Sequence, residues 1–99
     1  MYIIVWEYQV KKEKLDEFIK IYSAHGDWSE LFRNAPGYLG TELLHDENDP
    51  KRYLTIDRWD SKGSFEAFLS RWGKEYGELD KLCEGLTEDE RLLGRFMQG

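Results

Sequence analysis

The chemistry open to this chain is concentrated at four alternate positions, Tyr53, Thr55, Asp57 and Trp59. A period of two puts all four on one face of an extended segment. An acid held between aromatic rings and kept from water resists ionisation, so its pKa climbs toward the range in which a general base works near neutrality. The same acid could instead be a structural partner, ion-paired or hydrogen-bonded to a nearby Tyr or Arg. His25, in a loop ahead of a short helical segment, is a second candidate, either a proton relay near neutral pH or an ordinary surface histidine. His45 ends a strand beside an acidic loop and reads as an exposed hairpin residue. Trp6, Tyr8, Trp28, Trp59, Trp72 and Tyr76 could offer ring faces to a flat aromatic ligand, or they could simply form a core.

Other chemistries lack their patterns. One Cys, two His and scattered acids do not give metal-ligand spacing, so no metal site is expected. No Ser-His-Asp or Cys-His arrangement has a supporting motif, and no glycine-rich phosphate loop is present. No cofactor is therefore expected. Cys83 falls on an apolar helical stripe and reads as a small buried residue that cannot form an internal disulfide.

The elements that must position these residues can be read from periodicity. Residues 2–9 begin with Ile3, Ile4, Val5 and Trp6 in an unbroken run, which suits a strand covered on both faces. Leu15, Phe18, Ile19 and Tyr22 recur at helical spacing over 11–22, and His25-Gly26 interrupts that helix. Asp27, with Glu30 three residues on, resembles a capping box for a short helix carrying Trp28, Leu31 and Phe32, stopped by Pro36. Pro36-Gly37 is a turn pair, with positive φ expected at the glycine. Strands are predicted over 38–45 and 52–59, separated by a polar loop over 46–50.

Ser61 is placed to cap a long helix reaching about residue 84, with Gly85 as its terminator. Its stripe comprises Phe65, Phe68, Leu69, Trp72, Tyr76, Leu79, Leu82, Cys83 and Leu86. Gly73 and Gly77 interrupt it at a cost of roughly 1 kcal/mol each relative to Ala, which suggests a close approach there, either by a pocket wall or by the sheet or first helix. Residues 87–90 read as a polar turn and 91–97 as a last strand.

The order is β-α-β-β-α-β, a ferredoxin-like α+β sandwich: one antiparallel sheet with both helices on a single face. The other face is left bare, although Ile3, Val5, Leu54 and Ile56 lie on one parity and Ile4, Trp6, Tyr8, Tyr53 and Trp59 on the other. A twofold homodimer packed sheet to sheet would cover it.

Composition narrows the partners. Ninety-nine residues make one domain, and 14 basic against 20 acidic residues give a net charge of −6 with no basic stripe, so nucleic acid is not an expected partner. No signal peptide or membrane-spanning apolar run is apparent, so a cytoplasmic protein with no membrane partner is expected. Aromatic residues make up 15% of the chain, heavy for so acidic a sequence, and those rings need a core, an interface or a ligand pocket.

The segment from Ala35 to Ser61, APGYLGTELLHDENDPKRYLTIDRWDS, resembles the central signature of the antibiotic biosynthesis monooxygenase family. The matching features are the turn Pro36-Gly37, the paired Leu43-Leu44, the loop Asp49-Pro50, the strand end Asp57-Arg58-Trp59 and the helix cap Ser61. The resemblance implies a dimeric α/β barrel. It also implies that the face carrying Tyr53, Thr55, Asp57 and Trp59 looks toward the helices, because the equivalent Trp of relatives lines a cavity. Haem-degrading members of the superfamily use an Asn on the first strand and a His on the second helix. Here Trp6 stands for the Asn, and neither His25 nor His45 lies on the second helix, so axial haem ligation is not implied.

The activity implied is a cofactor-independent monooxygenase acting on a small phenolic or quinol-like aromatic substrate. Asp57 or His25 would be its base, with Trp6, Tyr8, Trp28, Trp59, Trp72 and Tyr76 around the ring. Two other readings remain open at this point: a homodimer that binds or sequesters a small hydrophobic molecule without chemistry, and a structural dimer whose rings are all core.

Overall fold

The computed structural model describes residues 1–98. Four strands, β1 (Tyr2–Val10), β2 (Tyr38–Asp46), β3 (Asp49–Trp59) and β4 (Thr87–Met97), form one antiparallel sheet in the order β2-β3-β1-β4. A single 3-10 turn (Lys12–Lys14) leads into α1 (Leu15–Tyr22), followed by α2 (Asp27–Phe32) and the long α3 (Lys62–Cys83). This is the ferredoxin-like α+β arrangement expected from the element order.

One face of the sheet is buried beneath the helices. Tyr2, Ile4, Tyr8 and Val10 of β1 and Tyr53, Thr55, Asp57 and Trp59 of β3 all point there, as the period of two requires. Trp59 is 0% exposed, and four rings surround it at 5.2–5.6 Å between centroids: Phe32, Tyr38, Phe65 and Phe68. Aromatic pairs at such separations add about 0.5–1.5 kcal/mol each beyond their buried area. A second cluster stacks Phe18 on Tyr22 at 4.2 Å, with Tyr8 edge-on to both.

No helix among the described residues covers the opposite face. It carries Ile3, Val5, Leu54 and Ile56, half-buried, with Leu44 42% and Phe96 51% exposed. Between them run ion pairs of Glu7 with Arg52 and Arg91, and of Glu42 with Arg58.

Several local expectations need correction. The 87–90 segment is not a turn; β4 runs unbroken from Thr87, its acidic residues exposed on an edge strand where charge is tolerated. The 46–50 loop shrinks to the two residues Glu47 and Asn48, tightened by a 2.7 Å bond from the Asn48 N–H to Asp46 Oδ1. Pro50 lies inside β3, in a register break where it has no β2 partner to miss its N–H. The capping box does not form: Gly26, not Asp27, is the N-cap of α2, and it gives no side-chain bond. A Cβ on Gly26 would meet the backbone oxygen of Ile21 at 2.3 Å, so the tight fold-back from α1 demands glycine there.

Ser61 does cap α3, its hydroxyl accepting from the Ser64 N–H at 3.1 Å. Gly37 has a φ of 92°, as the turn pair predicts. Gly73 and Gly77 are not sites of close approach, because a Cβ at either would meet nothing within 4 Å beyond the adjoining backbone of its own helix. Instead α3 kinks at Trp72, which has non-helical dihedrals, immediately before Gly73. Leu82 drops out of the buried stripe and is 77% exposed, whereas Cys83 and Leu86 are buried. Gly85 follows the helix end without the positive φ of a left-handed cap.

Candidate functional site

Between the sheet and the helices lies a cavity of about 140 Å³. Its floor is the sheet: Trp6 and Tyr8 from β1, Thr41 from β2, Thr55 and Asp57 from β3. Its roof is Tyr22 of α1, Trp28 and Phe32 of α2, and Tyr76 of α3. Asp80 of α3 and Glu90 of β4, both exposed, stand at the rim. An apolar cavity of about 150 Å³ accommodates a benzene ring, so this one matches a single aromatic ring rather than a fused polycycle.

Asp57 is the buried charge of the cavity, 8% exposed. Its Oδ1 accepts a 2.6 Å hydrogen bond from the Thr41 hydroxyl, which is in turn 2.5 Å from the Tyr38 hydroxyl. Among the described residues this bond is the carboxyl's sole side-chain partner, and no Lys, Arg or His lines the cavity. Burial therefore dominates: it pushes Asp57 up from 3.8 to about 6, and the Thr41 bond only partly offsets it. Tyr8, paired with Thr55 at 3.2 Å, is raised well above its ordinary value by burial. Tyr76 is raised by burial and by the neighbouring charges of Asp80, Asp57 and Glu90. Both phenols remain protonated at neutral pH and can donate hydrogen bonds, while Asp57 changes ionisation close to it.

Five of the eight residues singled out from sequence border this cavity: Trp6, Tyr8, Trp28, Asp57 and Tyr76. Trp59 is sealed in the core beside it, and Trp72 at the α3 kink packs against the core with Arg71 over its ring. His25 does not border it either. It is exposed, hydrogen-bonded through Nδ1 to Arg33 at 3.2 Å, and lines shallow outer grooves. Among the described residues no group of three or more His, Cys, Asp or Glu is placed to hold a metal ion.

Sequence reasoning missed Thr41, and the register explains why. Counting back from the Asp46–Asp49 pair, a plain hairpin would set Thr41 opposite Leu54, on the bare face. Pro50, Lys51 and Arg52 lack β2 partners, so the register shifts and Thr41 pairs with Asp57. An odd shift turns a side chain to the other face of a sheet, which delivers this hydroxyl to the acid. Asp80 and Glu90 were missed because both read as ordinary solvated charges.

The antibiotic biosynthesis monooxygenase family matches residues 1–72, and the chain belongs to that family. No curated protein matches it. Among solved structures it is similar to a variant of SnoaB, a cofactor-independent oxygenase from Streptomyces nogalater, at 18% identity and a TM-score of 0.81, covering 98% of this chain and 91% of that one. A conserved protein from Methanosarcina mazei superposes with a TM-score of 0.74 at 16% identity, covering 99% and 92%. A Pseudomonas aeruginosa protein does so with 0.70 at 12%, covering 98% and 92%. At these identities the likeness is one of fold.

Folding raises Asp57 above its unfolded value, so its contribution to stability is full below about pH 3.8 and is lost as the pH rises through about 6. Asp57→Asn stays neutral throughout. Urea unfolding of the variant should therefore show a gain over the parent of about 2–3 kcal/mol at pH 8 that closes toward pH 4. A variant less stable than the parent at pH 8 would mean that the carboxylate is a structural partner rather than a desolvated charge.

Proposed function

We propose that this chain is a cofactor-independent monooxygenase acting on a single-ring phenolic or quinol-like substrate, with Asp57 as the base. The observation that carries this reading is the placement of one desolvated carboxyl, poised near neutral pH, at the floor of an aromatic cavity the size of one ring. Family membership and the fold shared with a cofactor-independent oxygenase support it.

The chemistry balances without a further reductant. Asp57 takes the phenolic proton, and the resulting phenolate, rich in electrons, reduces O2 as a carbon–oxygen bond forms at the ring. The proton held by Asp57 passes to the distal peroxide oxygen. Loss of the ring hydrogen with departure of water then leaves a quinone carbonyl, so one oxygen atom enters the product and the other becomes water. The protein supplies the base, the ring-sized slot and exclusion of bulk water. Trp6, Trp28 and Tyr76 hold the ring, and Tyr8 is a hydrogen-bond donor on the same floor. His25, outside the cavity, takes no part in this scheme.

Oxygen uptake with hydroquinones and simple phenols measures this directly. Parent protein should consume O2, and Asp57→Asn should lower the rate by roughly 100-fold or more, the usual range for loss of a general base. Tryptophan quenching without oxygen consumption would instead make the chain a binding or sequestering protein for small hydrophobic molecules.

We infer further that the protein is a homodimer in which the helix-free sheet faces pack together. The support is the half-buried row Ile3, Val5, Leu54 and Ile56 with exposed Leu44 and Phe96, on a face where Glu7, Arg52, Arg91, Glu42 and Arg58 are already paired within the chain. Light scattering should report twice the mass of 11.8 kDa, and a single-chain mass at micromolar concentration would remove this inference.

A further inference from the structure

The cavity has a sign. Its walls bring together six aromatic rings and three carboxylates, Asp57, Asp80 and Glu90, with no cationic side chain among them. Asp57 is more than nine-tenths buried, and Oδ2, the oxygen not held by Thr41, has no protein donor among the described residues. At the rim, Asp80 and Glu90 are close enough for each to act on its neighbours: Glu90 is raised by burial and by Asp80, and Tyr76 lies within the influence of all three acids. One cation is near: Arg95 acts on Tyr76 in the opposite sense to the acids, but its guanidinium sits over the Phe65 ring at 5.7 Å and does not line the cavity. The chain as a whole carries −6, which adds a field of the same sign.

Aromatic faces joined with carboxylates are the surroundings that favour an organic cation, because ring quadrupoles and acids both attract positive charge in a partly dry site. An anionic ligand would meet three like charges and no donor cation. We propose that the occupant of this cavity is a single aromatic ring bearing an alkylammonium arm, with the ring over Asp57 and the ammonium at the rim between Asp80 and Glu90, against Tyr76 and Trp28. This rests on the reading of the cavity as the substrate site and adds the charge class of the substrate to it.

Three probes of one shape separate the possibilities: tyramine, 4-ethylphenol and 4-hydroxyphenylacetate, titrated by calorimetry into the full chain at low and moderate salt. Tyramine should bind roughly tenfold or more tighter than 4-ethylphenol, and 4-hydroxyphenylacetate most weakly of all. The tyramine advantage should shrink as salt rises. In the double variant Asp80→Asn, Glu90→Gln, tyramine should fall to the level of 4-ethylphenol measured on the same protein. Equal binding of tyramine and 4-ethylphenol to the parent, or an advantage that survives the double variant, would overturn the proposal while leaving the aromatic site intact. Failure of all three probes to bind would overturn both the charge class and the site.

Discussion

The withdrawal of one carboxyl group from water organises this molecule. A carboxylate in the interior is stable only if it is paired, hydrogen-bonded or protonated. Among the described residues Asp57 has no cationic partner in the cavity and a single hydroxyl donor, Thr41, so it is held near the point where either protonation state is accessible. Three strands and three helices create that condition. β1 and β3 bring the floor, the bulged pairing of β2 turns Thr41 inward, and the three helices lay rings across the top.

The same arrangement separates support from site. Trp59, two residues beyond Asp57 on the same face, is wholly buried among Phe32, Tyr38, Phe65 and Phe68. It fixes α2 and α3 over the end of β3 and thereby keeps the neighbouring space open. Phe32 belongs to both groups, packing near perpendicular to Trp59 and also bordering the cavity. Trp28 meets Tyr76 edge-to-face at 5.0 Å across the roof, so α2 and α3 close over the cavity through an aromatic contact rather than a polar one. The indole N–H of Trp28 is buried beside the Tyr22 hydroxyl and the Cys83 sulfur, near enough to act on both but without a hydrogen bond of good geometry among the described residues.

Much of this was legible in the residue order. The period of two in β3 identified the face that is buried, and the apolar stripes of α1 and α3 identified its cover, because burial imposes those periods directly. What escaped was whatever depends on pairing between distant segments. The bulge around Pro50 has no local signature that fixes its size, yet it decides which face Thr41 occupies. Glu88, Asp89 and Glu90 resemble a loop in sequence, and only their pairing with β1 makes them strand. The tryptophans could not be sorted from sequence either: Trp6 and Trp28 reach the cavity, whereas Trp59 and Trp72 serve the core, and that division follows from packing depth rather than residue type.

The site depends on the ionisation of one group. With aspartate carboxyl carbons labelled with carbon-13, an NMR titration of the parent chain assigned through Asp57→Asn should show the Asp57 resonance titrating with a midpoint of about 6. A midpoint at the ordinary 3.8 would mean that water reaches the carboxylate freely, and the desolvated base would not exist.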